Sequence, residues 1–448
     1  MKKLLHIVMV LLFLVGLFNV SGCKTGNLKI VDTNGEEIIT VNSITDERNE
    51  LEKCEQKAYV DEVLRESEQI ICDLNNCKLN EARAILLKND YTIHTSFDKD
   101  IYNSVKNGYM KHKIDGLSLG CAVTDLDGNI LALFSTENRD KQFVNYATEN
   151  TPPYSSFKPL GVYAPAIETN IASWSTVYPD IPLKKIKNNK GEDIDWPSNA
   201  NGVYSNQNVI VADAIKTSLN TVAVHCMKRL GVDKSFSFLE ERFGLILKNE
   251  KQKAQTYGEE EIIGNVALGY FDAVSPKDMA GFYQVFANGG KYIKPHTVTV
   301  IEEKNNKKIY SCKPFEKQVI KESTAFVMNK LLQNVVSPGG TGEKARCEGV
   351  PVGGKTGTGD DGNWFVGFTP DYTCAVWHGV ETKRNNACEF FSEIVNGFSN
   401  KTRDYPDCKD VEKAAYCCES GMLINQKCKK TGLGYYTKDN IPNKCIFH

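Results

Sequence analysis

No C-x-x-C pair occurs in the 448 residues, although cysteine is plentiful at 15. A zinc site built on that spacing is therefore not expected. Charge of one sign is also missing: 54 Lys and Arg against 56 Asp and Glu leave a formal net charge of −2. That balance gives no electrostatic footprint for nucleic acid. There is no internal repeat and no low-complexity run, which excludes solenoids and long solvated tails. What remains is 41% hydrophobic and 25% charged, the composition of a globular protein, with length enough for two or three domains.

The first residues read as a targeting segment. Met1-Lys2-Lys3 is a positive n-region, and a mostly apolar run from Leu4 to Val20 follows, interrupted by His6 and Asn19. Val20-Ser21-Gly22-Cys23 resembles a bacterial lipoprotein signal, which implies lipidation of Cys23 and a signal peptide over 1–22. An uncleaved membrane anchor is the alternative, because the run is just long enough to span. Either one puts the body of the chain outside the cytoplasmic membrane. Without Cys23, 14 cysteines remain, an even number compatible with disulfides in an exported protein. Cys121 and Cys226 sit in apolar runs and read as buried thiols. Cys388, Cys408, Cys417, Cys418, Cys428 and Cys445 crowd the last part, as in a stapled tail.

Along the chain, 23–90 reads as a linker that becomes helical between roughly 46 and 88, with Leu51, Val60, Val63 and Leu64 among charges. Leu117–Thr124 and Ile130–Phe134 flank Asp127-Gly128-Asn129, a hairpin signal. Residues 170–206 read as loop. Val209–Leu230 is helical in composition but broken by Ser218-Leu219-Asn220, residues that bond the local backbone and turn it. Ser275-Pro276 opens a helix towards Ala287, which Asn288-Gly289-Gly290 stops. Thr297–Glu302 and Lys308–Tyr310 read as a second hairpin. Ser323–Val336 reads as a helix ended by Pro338-Gly339-Gly340. Three antiparallel strands then follow. The first carries Gly353, Gly354 and Gly357 around Lys355, which marks close approach by a ligand or another backbone.

The chemistry gathers at Tyr154-Ser155-Ser156-Phe157-Lys158-Pro159. On a helix, Ser155 and Lys158 share one face. Pro159 is tolerated only in a first turn, so the helix starts close by. There the dipole favours developing negative charge. A lysine can take a serine proton only if burial or nearby cations pull its pKa down. Alone, S-x-x-K is also ordinary helix-start chemistry. In chain order, however, Ser155-x-x-Lys158, Ser218-x-Asn220 and Lys355-Thr356-Gly357 form a set.

That set resembles the transpeptidase domain of class A penicillin-binding proteins. Phe286-Ala287-Asn288-Gly289-Gly290, Trp364-Phe365-Val366-Gly367 and the tail from Cys418-Glu419-Ser420-Gly421 to His448 extend the resemblance over roughly 90–448. The resemblance implies an α+β fold: an antiparallel sheet flanked by helices, beside an all-helical lobe. The division it suggests is 1–22 signal, 23–90 linker and helical segment, 91–400 transpeptidase domain and 401–448 Cys-rich tail. Such a chain would carry no glycosyltransferase domain and would need a separate glycosyltransferase as partner.

The implied substrate is the D-Ala-D-Ala end of a peptidoglycan stem peptide. Ser155 would attack, Lys158 would take its proton and Ser218 would relay a proton to the leaving amine. Lys355 would add positive charge, while Asn220, Thr356, Gly357 and Thr358 would hold substrate. β-Lactams would acylate Ser155. No metal or organic cofactor is implied. A D,D-carboxypeptidase or β-lactamase, and a non-catalytic β-lactam-binding scaffold or sensor, are the competing readings. One departure stands out. The family usually has glycine where this chain has Tyr154, and a ring there would either narrow the cleft or alter substrate choice.

Overall fold

The computed structural model describes residues 26–41, 47–112, 117–137, 143–187, 190–257, 259–271, 274–379, 386–398 and 403–447. Cys23 lies outside them. Among the described residues no helix is long and apolar enough to cross a membrane.

The site is positioned by a five-stranded antiparallel sheet. Its order is Gly353–Thr358, Asn363–Phe368, Tyr372–His378, Leu119–Asp125 and Ile130–Ser135. One row across it runs Lys355, Val366, Ala375, Ala122, Leu133. Side chains alternate between faces along each strand, and both faces are covered. Phe365 stacks edge-on against Phe391 of the helix Ala387–Phe398. That helix packs with Lys99–His112, where Ser104 Oγ donates to Ile394 O at 3.0 Å. On the opposite face, Thr373 Oγ1 donates to Ala280 O at 2.8 Å, in the helix Pro276–Tyr283. Ser275 caps that helix in a box with Asp278, as the Ser-Pro start dictates. The glycine-rich strand Gly353–Thr358 is at the sheet edge, so one of its sides is not paired within the sheet.

Beside the sheet stands a helical lobe of Val211–Thr217, Asn220–Leu230, Val232–Phe243, Lys248–Tyr257 and Glu259–Leu268. Cys226 and Met227 are buried in it. Residues 170–206 are not wholly loop: Lys184–Lys187 pairs with Asp193–Trp196, and Val177–Pro179 with Asn208–Ile210.

The segment before residue 90 differs from a linker. The expected helices are present as Glu47–Lys53, Lys57–Asn75 and Leu79–Lys88, but a hairpin of Leu28–Val31 and Glu37–Val41 precedes them. Leu28–Val31 pairs in parallel with Tyr91–Thr95, which pairs in turn with Val298–Glu303 of the second predicted hairpin. The boundary drawn at residue 90 thus runs through a five-stranded sheet. In the tail, Val411–Cys417 pairs with Thr431–Thr437. This hairpin docks through Tyr436, whose hydroxyl lies 2.8 Å from Ser175 Oγ, and through Trp174 against Tyr435.

Candidate active site

Ser155 sits in a 3-10 turn, Tyr154–Phe157. A π-turn from Pro159 and the α-turn Ala164–Glu168 follow. Several backbone ties fix the turn. Tyr154 N–H donates to Gly269 O at 3.0 Å and Ser156 Oγ to Pro153 O at 2.5 Å. The buried Tyr283 hydroxyl donates to Ser156 O, and Trp364 Nε1 to Pro152 O at 2.8 Å. Ser155 itself is half-buried, whereas Lys158 is 1% exposed.

The second motif is a break between two helices. Val211–Thr217 ends at Ser218, whose φ of +62° is left-handed, and the next helix starts at Asn220. The kink turns both side chains towards Lys158. Lys158 Nζ donates to Asn220 Oδ1 at 2.7 Å and to Ser218 O at 2.9 Å, with Ser218 Oγ at 3.5 Å. Asn220 is held in turn: its Nδ2 donates to Ser198 O at 2.7 Å and its N–H to Asn199 Oδ1 at 2.9 Å. One amide N–H and one lone pair remain for a bound peptide.

The edge strand brings the third motif. Lys355 is fully buried, and its Nζ donates to Ser218 Oγ at 2.8 Å and to Thr356 O at 3.1 Å. Thr356 Oγ1 donates to Thr341 Oγ1 at 3.0 Å. Thr358 is exposed at the strand's end. Gly357 is required by contact: a Cβ there would stand 2.5 Å from Pro153 O and 3.2 Å from Ser156 N. The structure thus brings Lys158, Ser218, Asn220, Lys355 and Thr356 into one bonded cluster. Gly357 lies against the turn that bears Ser155.

Two ammonium groups in one dry cluster cannot both keep their protons easily. Burial, and then the Lys355 charge, hold Lys158 well below the ordinary lysine range. Burial pushes Lys355 down to about 7. A neutral lysine has two N–H donors and one lone pair. Asn220 Oδ1 and Ser218 O occupy the donors at short distance, which leaves the lone pair as the group's remaining capacity.

Tyr154, which stands where the family usually has glycine, is accommodated by its backbone conformation. Its φ is +50°, a left-handed value that costs a residue with a Cβ roughly 1–2 kcal/mol. The ring packs at the turn that follows Thr358. The ring lies against Gly359, where a Cβ would stand 2.1 Å from it, and its oxygen accepts from Asp361 N–H at 3.2 Å. The residue is 3% exposed. Two supports are absent from the motif reading. Asp180 accepts from Asn199 Nδ2 at 2.8 Å and from Thr221 Oγ1 at 2.6 Å, behind Asn220. Thr341, whose N–H donates to Lys216 O at 3.1 Å, ties the second motif's helix to the third motif. The signal for Thr341 was present in Pro338-Gly339-Gly340-Thr341-Gly342, which read only as a helix stop.

Comparison with known proteins identifies the family. The family model described as the penicillin binding protein transpeptidase domain matches residues 120–395. Penicillin-binding protein 1A of Clostridium acetobutylicum is 35% identical over 252 residues, which are 54% of this chain and 30% of that protein. Penicillin-binding protein 4 of Bacillus subtilis is 30% identical over 314 residues, 68% of this chain and 47% of that protein. The chain therefore spans between about a third and a half of these relatives' lengths. Among solved structures, the D,D-transpeptidase domain of a peptidoglycan glycosyltransferase from Eggerthella lenta superposes with a TM-score of 0.63 at 19% identity, covering 84% of this chain and 98% of that one. Penicillin-binding protein 1A from Haemophilus influenzae gives 0.67 at 15% identity, covering 86% and 77%. The chain belongs to the penicillin-binding protein transpeptidase family and is homologous to its class A members.

Proposed function

We propose that the protein is a serine D,D-transpeptidase that cross-links peptidoglycan stem peptides through an acyl-enzyme on Ser155. The observation that carries this reading is the state of Lys158: buried, driven towards neutrality, and bonded through both donors to the second motif. Ser155 Oγ attacks the carbonyl carbon of the penultimate D-Ala while its proton passes to the Lys158 lone pair. Backbone N–H groups of Ser155 and Thr358 receive the developing oxyanion. The C–N bond then breaks. Ser218, between the two lysines, passes a proton to the leaving amine of D-Ala. Lys355, with the hydroxyls of Thr356 and Thr358, binds the terminal carboxylate, and that negative charge restores the Lys355 proton. The donor peptide lies along the open edge of Gly353–Thr358 as an added strand. An amine from a second stem peptide attacks the ester and regenerates Ser155. A β-lactam enters by the same attack, and its ring opening leaves the acyl group in place.

On this reading the enzyme works at the extracytoplasmic face of the membrane, anchored by a lipid on Cys23. Glycan strands come from a separate glycosyltransferase, and confinement to one membrane raises the effective concentration of such a partner. The test is reconstitution with labelled, preformed, uncross-linked strands, with muropeptides analysed after digestion. Cross-linked dimers that vanish in Ser155→Ala are expected. Release of D-Ala without dimers would instead assign a carboxypeptidase.

A further inference from the structure

The tail carries a second cluster of reactive groups, well apart in sequence from the three motifs. The sulfurs of Cys417, Cys428 and Cys445 all lie within 4.8 Å of one another. They come from three separate pieces of chain: the end of one tail strand, the loop beyond it and the last segment. Backbone bonds hold those pieces in place. Cys445 N–H donates to Leu423 O at 2.7 Å, Leu423 N–H to Asn443 O at 2.9 Å, and Cys417 N–H to Met422 O at 2.7 Å. Spacings of 11 and 17 residues gave no C-x-x-C signal, so the sequence concealed the cluster.

We infer that Cys417, Cys428 and Cys445 form a structural zinc site. Three thiolates bound to one zinc at about 2.3 Å stand roughly 3.8 Å apart, so modest inward movement of these sulfurs supplies three of the four tetrahedral positions and leaves the fourth to water. A disulfide would use two of the sulfurs and leave the third beside it, open to thiol exchange. A metal uses all three. Polar donors already point at the sulfurs, as they do around metal thiolates. Ser420 Oγ donates to Cys445 Sγ at 3.2 Å, and Asn425 N–H to Cys428 Sγ at 3.4 Å. A divalent cation lets three neighbouring sulfurs ionise together. Binding releases three protons, one per thiol, and is therefore weakened by acid. The donor set is all sulfur, which suits zinc over calcium or magnesium.

The site would brace the active site at one remove. The loop it closes carries Gly421, whose carbonyl accepts from Ser175 Oγ at 2.5 Å. The same stretch holds the start of the helix that ends at Ser218: Ala212 N–H donates to Trp174 O at 3.1 Å and Val211 N–H to Thr176 O at 2.9 Å.

The experiment is metal analysis of the full chain, purified without chelator, by plasma mass spectrometry. About one zinc per chain is expected in the wild type and in the control Cys312→Ser, and a loss of several-fold or more in Cys428→Ser and Cys445→Ser. Because those variants could misfold, the wild type is also exchanged into cobalt, which should give a thiolate-to-cobalt charge-transfer band. Chelation should lower Tm in the wild type, and zinc should restore it. Two results would overturn the assignment. One is no metal bound before or after incubation with zinc under reducing conditions. The other is a peptide map of the purified protein showing Cys428 in a disulfide with Cys417 or Cys445.

Discussion

The two buried lysines divide the chemistry between them, and pH separates their parts. Lys158 must be neutral to act as base, so it works above its own depressed pKa. Lys355 must be charged to attract a carboxylate, so it works below about 7 in the free protein. Acylation by a penicillin, which carries a carboxylate, should therefore rise with pH as Lys158 deprotonates and fall above about 7 as Lys355 loses its charge. Arginine stays protonated throughout, so Lys355→Arg should lose the alkaline fall even if its rate at neutral pH drops. Stopped-flow acylation across pH checks this, and an unchanged alkaline limb in the variant contradicts it. The motif residues were legible in the sequence because the reaction demands those side-chain types in that order. The placement of Tyr154 was not, because a positive φ and a glycine some two hundred residues away decide where its ring goes.

At the scale of elements, the contact that matters most is the edge strand against the nucleophile turn. Gly357 allows it, with Pro153 O and Ser156 N where a side chain would begin. Gly357→Ala should push the strand from the turn, slow acylation on the order of a hundredfold and cost about 1–3 kcal/mol of stability. Acylation kinetics and a denaturant melt measure the two effects, and wild-type values in both would refute the contact's role. Much at this scale could be read from sequence. The Asp127-Gly128-Asn129 hairpin, the Ser275-Pro276 helix start and the Ser218 break are local signals with local causes. The hairpin of Leu28–Val31 and Glu37–Val41 has only a weak signal in sequence, the turn pair Asn34-Gly35 between two short apolar runs. Its strands are four and five residues long, and one partner strand lies more than fifty residues on, so neither length nor periodicity announced it.

Across the whole molecule, the segment ahead of the family match is joined to the transpeptidase domain by one shared sheet and by side-chain contacts beyond it. Glu66, on the helix Lys57–Asn75, accepts from the N–H and hydroxyl of Thr297, both at 2.6 Å. Glu62 on the same helix pairs with Lys277 at 2.7 Å, just inside the helix that covers the central sheet. Glu66→Ala leaves the Thr297 donors without their carboxylate and should cost about 2–3 kcal/mol. The loss should appear as a lower Tm in one cooperative transition. A separate early transition for the N-terminal segment would show that it folds on its own. Sequence could not supply this joint, because its partners stand more than two hundred residues apart and neither belongs to a motif.

The account turns on Ser155 as the nucleophile. The most direct measurement is labelling with a reporter penicillin, followed by peptide mass spectrometry to locate the adduct. Wild-type protein should carry one acyl group, on the peptide that contains Ser155, and folded Ser155→Ala should carry none. An adduct on another serine, or labelling that survives in Ser155→Ala, would contradict the account.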